Sequence, residues 1–269
     1  MTTLVAALLG VVQGLTEFLP VSSSAHLLLA RELLGWDVGG FGLAFDVACH
    51  VGTLLAVVAY FRVDVVAMLR ALPRAAAPSP NAVGRQVRLI VIGTLPVGVV
   101  GLAWGDWIER VARTPAVTVA TLAVGALAFL VVERRGASRR DVGALRWPAA
   151  LVIGAAQALA LMPGVSRSGA TIVAGMWLGL SRPSAARFGF LLGIPAIAAA
   201  AACTAVGLGP GDFSPDVWRW FLTGMVVSGI VGYIVVALFL RYLAKHPLDV
   251  FAYYRLALAG AVLVWVLTP

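Results

Sequence analysis

A proline followed by three serines and a histidine forms the first group of residues that could do chemistry. Pro20 precedes Ser22, Ser23 and Ser24, and His26 follows them. Proline and then serines favour the start of a helix, and the free amides of a first helical turn attract anions such as phosphate. His26 follows Ser23 by three residues and Ser22 by four, so its imidazole is predicted to lie beside a hydroxyl. A base next to a hydroxyl is the minimum requirement for nucleophilic catalysis.

Two polar side chains precede this group at helical spacing. Gln13 and Glu17 are four residues apart, so they share a helix face that can point at the same serines. An ionisable carboxylate inside an apolar segment is costly and is expected to have a partner. Glu17 is therefore a candidate general base, a candidate metal ligand or the counter-ion of Arg167, and its spacing leaves all three roles open.

The polar residues from Glu17 to His26 interrupt an apolar stretch and form a first polar break. A second polar break, later in the chain, supplies a cation. Arg167 stands between Ser166 and Ser168, and Gly169 follows. A guanidinium offers a planar fork of donors for two phosphate oxygens, and glycine lets the backbone approach a ligand closely. Combined with the hydroxyl, imidazole and carboxylate of the first break, this set predicts phosphoryl transfer, in which catalysis is mostly positioning and charge stabilisation.

The composition places these residues in a membrane protein. Of the 269 residues, 61% are hydrophobic and 12% are charged, whereas about 25% are charged in a soluble globular domain. A soluble enzyme, a disordered chain and a disulfide scaffold are therefore excluded. Most of the arginines lie in loops between apolar segments, so the net charge of +8 indicates membrane topology and no nucleic-acid partner.

Six apolar segments are long enough to cross a bilayer, for which a helix needs about 20 residues. They lie at about 43–61, 87–107, 115–132, 185–207, 217–240 and 249–268. The two polar breaks instead interrupt the segments 4–35 and 148–180, whose apolar arms are too short for full spans. Each of these two segments is predicted to be a re-entrant hairpin of two half-helices.

The two predicted hairpins match each other at a constant offset of 144 residues. Gln13 corresponds to Gln157, and Ser22 corresponds to Ser166. Because three spans separate the hairpins, the second is expected to enter from the opposite face. The predicted fold is an all-α integral membrane protein with a single domain over 1–269. It is an inverted-topology repeat with halves at 1–133 and 148–269, each a re-entrant hairpin followed by three transmembrane helices.

The charges orient this arrangement. Twelve cations fall on one side, namely Arg62, Arg70, Arg74, Arg85, Arg88, Arg134, Arg135, Arg139, Arg140, Arg146, Arg241 and Lys245. Four fall on the other side, namely Arg31, Arg110, Arg113 and Arg219. The positive-inside rule therefore predicts that the twelve are cytoplasmic, and that both termini and the mouth of the first hairpin are outside.

The motif residues resemble the undecaprenyl pyrophosphate phosphatase family of bacterial inner membranes. The resemblance is carried by the run from Gln13 to His26 and by Pro163 to Gly169, and it covers essentially the whole chain. It implies hydrolysis of a polyprenyl pyrophosphate lipid to the monophosphate and inorganic phosphate, which recycles the carrier for cell-wall synthesis and confers bacitracin resistance. It also implies a multi-pass protein of the inner membrane, in contact with membrane lipids, whose active site opens toward the periplasm.

The resemblance also assigns roles to individual residues. Ser23 lies at the position of the family's proposed nucleophile, His26 at that of the assisting histidine and Arg167 at that of the motif arginine. Glu17 matches the second glutamate of a glutamate-rich motif, whereas Gln13 replaces the first, so a divalent cation such as Mg or Ca would depend on Glu17. The residues expected to bind substrate are Gln13, Ser22, Ser24, Ser166, Ser168 and Gly169.

Several alternatives remain at this point. The inverted repeat is typical of secondary carriers, so the rival function is a polyprenyl-phosphate flippase or transporter. An intramembrane serine protease is disfavoured because the arginine clamp has no role in peptide cleavage. His50 is interpreted as an interior hydrogen-bonding residue, and Asp46, four residues earlier, either binds it or orients a catalytic group. The sequence is compatible with a homodimer but does not predict one.

Overall fold

A computed structural model describes residues 2–36, 42–77, 81–136, 140–206 and 213–268. Within these ranges the chain forms eleven α-helices and no strand. They are α1 (Thr3–Phe18), α2 (Ser23–Leu34), α3 (Gly42–Tyr60), α4 (Arg62–Ala75), α5 (Ala82–Trp107), α6 (Pro115–Arg134), α7 (Trp147–Leu159), α8 (Arg167–Trp177), α9 (Arg182–Val206), α10 (Pro215–Leu243) and α11 (Asp249–Leu267). Arg139 of the charge count, and the domain ends Met1 and Pro269, lie outside the described residues.

Six of these helices confirm the predicted membrane spans. They are α3, α5 with the π-helical turn Ile108–Ala112 that extends it, α6, α9, α10 and α11, and each is long and apolar enough to cross a bilayer. No more than 39% of the residues in the most apolar window of any of them are buried. More than half of the residues in these windows are therefore not buried by the chain itself, which suits a lipid environment, and the chain is an all-α, multi-pass integral membrane protein.

The starts of two spans follow a local signal in the sequence. Pro115 and Pro215 occupy the first turns of α6 and α10, where a proline's missing amide costs no hydrogen bond. The residues just before them cap the helices, because the Thr114 and Ser214 hydroxyls accept hydrogen bonds from amides three residues on, at 3.3 and 3.5 Å. Such caps fix where the two spans begin.

Helix α4 was not predicted from the sequence. The residues between the first two predicted spans were assigned to a loop because of their arginines, but 62–75 are helical and pack against α5 and α3. Asp64 lies in the first turn and Pro73 near the end of this helix. The amphipathic stretch is stabilised by packing onto α5, and a search for long apolar runs does not detect such a helix.

Two pairs of short helices replace full spans in the regions of the polar breaks. The first helix pair is α1 and α2, with 16 and 12 residues, and the second helix pair is α7 and α8, with 13 and 11. Helix α1 packs along α10, and α7 packs along α5, so the leading helix of each pair lies against a long helix of the other half. The re-entrant depth of the pairs and the inverted orientation of the halves stay predictions.

Close backbone contact allows the leading helix of the second pair to pack against the other half of the chain. A Cβ atom at Gly154 of α7 would collide with the carbonyl of Gly93 in α5. Glycine at this position lets the two helices approach at backbone distance, as small residues do between membrane helices. This packing of each leading helix against the other half of the chain brings the two polar breaks together.

Candidate active site

A carboxylate joins the two polar breaks. Glu17 lies in the last turn of α1, Ser23 begins α2 and Arg167 begins α8. The Ser23 hydroxyl donates a hydrogen bond of 2.7 Å to Glu17 Oε2, and Arg167 Nη2 donates one of 2.7 Å to Glu17 Oε1. Glu17 is only 5% exposed, so its charge needs a partner within the protein. Arg167 is that partner, although it lies 150 residues away in the sequence. The structure thus shows the counter-ion contact, whereas the base and metal-ligand roles stay predictions.

Gln13 supports this carboxylate from one turn earlier. Its Nε2 donates a 2.9 Å hydrogen bond to Glu17 Oε2, and the side chain is completely buried. Gln13 does not belong to the described residues that line the adjacent cavity. The geometry therefore places Gln13 as a partner of Glu17, and direct binding of substrate by Gln13 stays a prediction.

The two helices that begin at the breaks use the same cap. Ser22 and Ser166 have φ angles of 75° and 71°, and no other non-glycine residue in the described ranges has a positive φ. Their hydroxyls accept hydrogen bonds from the amides of Ala25 and Gly169, at 3.4 and 3.2 Å. Such a backbone conformation costs about 1–3 kcal/mol and persists only where the surroundings impose it. Both helix starts are therefore held in a fixed geometry at the site.

Of the other residues predicted to bind substrate, one lines the cavity and two make contacts within the protein. Ser24 lines the cavity and its hydroxyl lies 3.1 Å from that of Ser22. Ser168 is buried, and its hydroxyl donates to the carbonyl of Leu19 at 3.1 Å, which ties the second break to the first. A Cβ atom at Gly169 would collide with the ring of Phe129. Substrate binding by Ser168 and Gly169 stays a prediction, but both have a visible packing role.

His26 has two partners other than Ser23. Its Nδ1 lies 2.7 Å from the carbonyl oxygen of Ser22 and its Nε2 lies 2.6 Å from the hydroxyl of Tyr254. The two rings are stacked, with their centroids 5.7 Å apart. Because a carbonyl only accepts, Nδ1 carries the proton and Nε2 accepts from Tyr254. The group that touches the Ser23 hydroxyl is Glu17, and a catalytic role of His26 stays a prediction.

His50 makes an interior hydrogen bond, as interpreted from the sequence, whereas the Asp46 carboxylate binds arginines and not His50. His50 Nε2 lies 3.4 Å from Glu17 Oε2, and its Nδ1 donates to the backbone carbonyl of Asp46 at 2.7 Å. The Asp46 carboxylate instead pairs with Arg31 and with Arg113, the latter at 3.6 Å. His50 is thus part of the site, whereas the Asp46 side chain links α3 to α2 and to the segment before α6.

A cavity of about 220 Å³ opens beside these groups. Its polar lining comprises Glu17, Ser22, Ser23, Ser24, His50, Gln157, Ser166 and Arg167. Arg167 Nη1 and both polar atoms of the Gln157 side chain are buried and have no partner among the described residues. Donors of a guanidinium and an amide are groups that suit an anion, and Ser23 belongs to the same cavity lining. Anion binding stays a prediction.

Arg255 donates hydrogen bonds to the backbone of both breaks. It lies in α11, is completely buried and has only carbonyl oxygens as partners among the hydrogen bonds of the described residues. Its guanidinium donates, at 2.9–3.3 Å, to Pro20 of the first break, Gly164 and Val165 of the second, and Thr121 and Leu122 of α6. Three carbonyls of the non-helical backbone of the breaks are therefore satisfied by a protein side chain, which would be needed at the predicted re-entrant depth.

The residues present do not fit a cation held by the protein. Among the described residues, no three His, Cys, Asp or Glu side chains are grouped closely enough to hold a metal ion. Glu17 contributes the only carboxylate to the described lining of the cavity, and both its oxygens already accept hydrogen bonds. Mg²⁺ and Ca²⁺ need several oxygen ligands. The divalent cation stays a prediction.

Three site residues were not assigned from the sequence. Gln157 had a detectable signal, its match to Gln13, and Arg255 had another, a charge inside an apolar span. His50 had no signal beyond a histidine in a span. The carbonyl partners of Arg255 lie far away in sequence, and so does Glu17, which His50 approaches, so local patterns did not connect these two residues to the site.

Fold and site together define a polytopic membrane protein whose two helix pairs enclose a buried carboxylate–guanidinium pair and a cavity with free hydrogen-bond donors. Residues 6–261 match the family described as Bacitracin resistance protein BacA, and the chain belongs to this family. It is 44% identical to an undecaprenyl-diphosphatase of Rubrobacter xylanophilus, with 96% of each chain covered. It is 47% identical to undecaprenyl-diphosphatase 2 of Stutzerimonas stutzeri, with 95% of each covered. With an undecaprenyl-diphosphatase of Hahella chejuensis it shares 41% identity over 98% of each chain.

Proposed function

We propose that the chain is an undecaprenyl-diphosphatase, a phosphoric anhydride hydrolase that releases inorganic phosphate from undecaprenyl pyrophosphate and leaves the monophosphate. The observation that carries this function is the contact of Ser23, Glu17 and Arg167 beside a cavity with a free guanidinium nitrogen. The names of its full-length relatives support the same substrate. The family description supports a contribution to bacitracin resistance.

In the proposed reaction the Ser23 oxygen attacks the terminal phosphorus of the pyrophosphate. The bond from this phosphorus to the bridging oxygen breaks, and undecaprenyl monophosphate leaves. The serine proton passes to Glu17 Oε2, which accepts its hydrogen bond at 2.7 Å. A water molecule then attacks the phosphorus of the phosphoserine and its bond to the Ser23 oxygen breaks. Glu17 returns its proton to that oxygen, and inorganic phosphate leaves as dihydrogen phosphate with the oxygen and both hydrogens of the water.

Charge stabilisation comes from the two helix starts. Arg167 Nη2 donates to Glu17, and Nη1, which has no hydrogen-bond partner among the described residues, is the proposed donor to a phosphate oxygen. The first-turn amides of α2 and α8 add the positive ends of two helix dipoles. These groups are fixed before the substrate arrives, so they need no reorganisation as negative charge develops on the phosphoryl group.

A phosphate-release assay tests the function. Purified protein in detergent is expected to release phosphate from undecaprenyl pyrophosphate, and Ser23→Ala is expected to lower kcat about 10³-fold or more. Ser184→Ala is the matched control, since Ser184 donates to Asp141 and lies outside the cavity. No phosphate release by the wild type would overturn the function. Full turnover by Ser23→Ala would overturn the nucleophile and leave the hydrolase.

The distribution of charges supports an orientation in the membrane. The chain is placed in the bacterial inner membrane with the mouth of the first helix pair toward the periplasm, in line with the excess of cations on the opposite side. In a background with Cys49 and Cys203 replaced by alanine, an impermeant thiol reagent is expected to label Thr2→Cys but not Arg135→Cys on spheroplasts. The reverse pattern would invert the orientation. The homodimer that the sequence leaves open is tested by the mass of the purified protein in detergent.

A lipid flippase remains the second candidate because the leading helix of each pair packs against the other half of the chain, as in carriers built from repeats. Proteoliposomes loaded with labelled undecaprenyl phosphate distinguish the two functions. Translocation without release of phosphate from the pyrophosphate would favour the carrier, and phosphate release without translocation would favour the hydrolase.

A further inference from the structure

Gln157 is a buried amide for which the described part of the chain supplies no hydrogen-bond partner. It lies near the end of α7, is 1% exposed and lines the cavity. Neither its Nε2 nor its Oε1 has a hydrogen-bond partner among the described residues. Burying an unsatisfied amide is costly, so a side chain kept in this state points to a ligand that supplies the missing partner. Arg167 Nη1, in the same cavity, is unsatisfied in the same way.

The corresponding glutamine of the first helix pair shows why this amide is free. Gln13 donates to Glu17, which lies four residues later on the same helix face. Four residues after Gln157 the chain has Leu161, which offers no acceptor. The second helix pair therefore keeps the glutamine but lacks the carboxylate that would bind it. Its amide is left without a partner among the described residues, in a side chain that lines the cavity.

The neighbouring groups define the chemistry of that molecule. Arg167 brings a fixed positive charge with a free N–H donor, and Gln157 brings a second free donor. An apolar or cationic ligand would leave both donors unpaired. An oxyanion satisfies both, and the Gln157 carbonyl can accept from water bound with it.

We propose that Gln157 and Arg167 Nη1 bind the pyrophosphate of the substrate together, and that Gln157 holds the phosphate group attached to the prenyl chain. This inference rests on the proposed function. The attacked phosphorus must lie against Ser23, which belongs to the first helix pair together with its base. Arg167 already serves the attacked phosphate in the proposed reaction, so the Gln157 amide is assigned to the phosphate that is not attacked. Gln157 thereby selects a diphosphate over a monophosphate.

The substitution Gln157→Leu removes both polar atoms and keeps the approximate size of the side chain. It is expected to raise KM for undecaprenyl pyrophosphate about 10- to 100-fold, which corresponds to a lost hydrogen bond to a charged group, with a much smaller change in kcat. The inhibition constant of inorganic pyrophosphate should rise by the same factor, whereas that of orthophosphate should stay within about twofold of the wild type, since the terminal-phosphate site is intact.

Thermal unfolding separates binding from a structural role. Because Gln157→Leu replaces an unsatisfied amide with an apolar side chain, its ligand-free melting temperature should equal or exceed that of the wild type. A substitution that broke a structural hydrogen bond would lower it. Added inorganic pyrophosphate should stabilise the wild type more than the variant. Gln86→Leu, at the start of α5 and outside the cavity lining, is the control for a glutamine-to-leucine change.

The outcomes also separate this inference from the proposed function. An unchanged inhibition constant of pyrophosphate in Gln157→Leu would overturn the role of Gln157, as would an equal loss of pyrophosphate and orthophosphate binding or a lowered melting temperature. If the wild type failed to hydrolyse the lipid but pyrophosphate still stabilised it in a Gln157-dependent way, the hydrolase would be wrong and the anion site would stand.

Discussion

The first and second helix pairs share a backbone design but carry different chemistry. In each pair a serine with a positive φ caps the following helix, and its hydroxyl lies 3.1 Å from that of the serine two residues later. Each leading helix also carries a buried glutamine at the matching position, Gln13 or Gln157. The chain thus builds the same helix start twice and brings both starts to one cavity.

The differences between the pairs lie at two matching positions. Between the capping serine and its serine partner, the first pair has Ser23 and the second has Arg167. One turn after the glutamine, the first pair has Glu17 and the second has Leu161. The first pair therefore supplies the hydroxyl and its base, and the second supplies the cation and a free amide. A repeated scaffold becomes an asymmetric site through the identity of two residues in each copy.

Removing the cation of the second pair should have the largest effect. Arg167→Ala removes the free donor for phosphate and the partner of Glu17, so kcat/KM is expected to fall about 10³-fold. Arg167→Lys should recover part of the loss, because lysine restores the charge but not the planar fork. Phosphate release from undecaprenyl pyrophosphate measures both. Activity of Arg167→Ala within tenfold of the wild type would show that the second pair is not the anion-binding half.

Displacing the same cation without removing it should have the next largest effect. A Cβ atom at Gly193 in α9 would collide with the Arg167 guanidinium, so Gly193→Ala is expected to shift the guanidinium and lower kcat/KM about 10²-fold. Gly98→Ala in α5 is the matched control, because a Cβ atom at Gly98 has no neighbour within 4 Å among the described residues. Equal activities of the two variants would argue that the exact position of Arg167 is unimportant.

Giving the second pair the carboxylate of the first should have a smaller effect. Leu161 lines the cavity in the turn after α7, so the carboxylate of Leu161→Glu is expected to add negative charge to the cavity. KM for undecaprenyl pyrophosphate should rise about tenfold or more. Leu161→Gln, which adds no charge, should raise KM less. If the two variants behaved alike, charge in this half of the cavity would not govern substrate binding.

The sequence predicted the spans and the two breaks because long apolar runs and proline–serine clusters are local signals. It also placed Glu17 and Arg167 as possible partners, since two opposite charges in apolar segments need each other. It did not predict that Arg255 binds both breaks or that His26 binds Tyr254, because these contacts join α11 to distant segments. That position 161 is leucine can be read from the sequence, but only the structure shows that Gln157 has no hydrogen-bond partner among the described residues.

The smallest expected effects concern the shared caps and test whether the two pairs are equivalent as scaffolds. Ser22→Ala and Ser166→Ala each remove a capping hydroxyl and should cost about 1 kcal/mol of stability. Glycine suits the positive φ of 75° or 71° and is a tolerable cap, so Ser22→Gly and Ser166→Gly should cost only a few tenths of that amount. Melting temperatures of the four ligand-free variants measure the difference. A large loss at one serine only would mean that one pair is held by its cap and the other by its packing, and the equivalence would fail although the backbone angles agree.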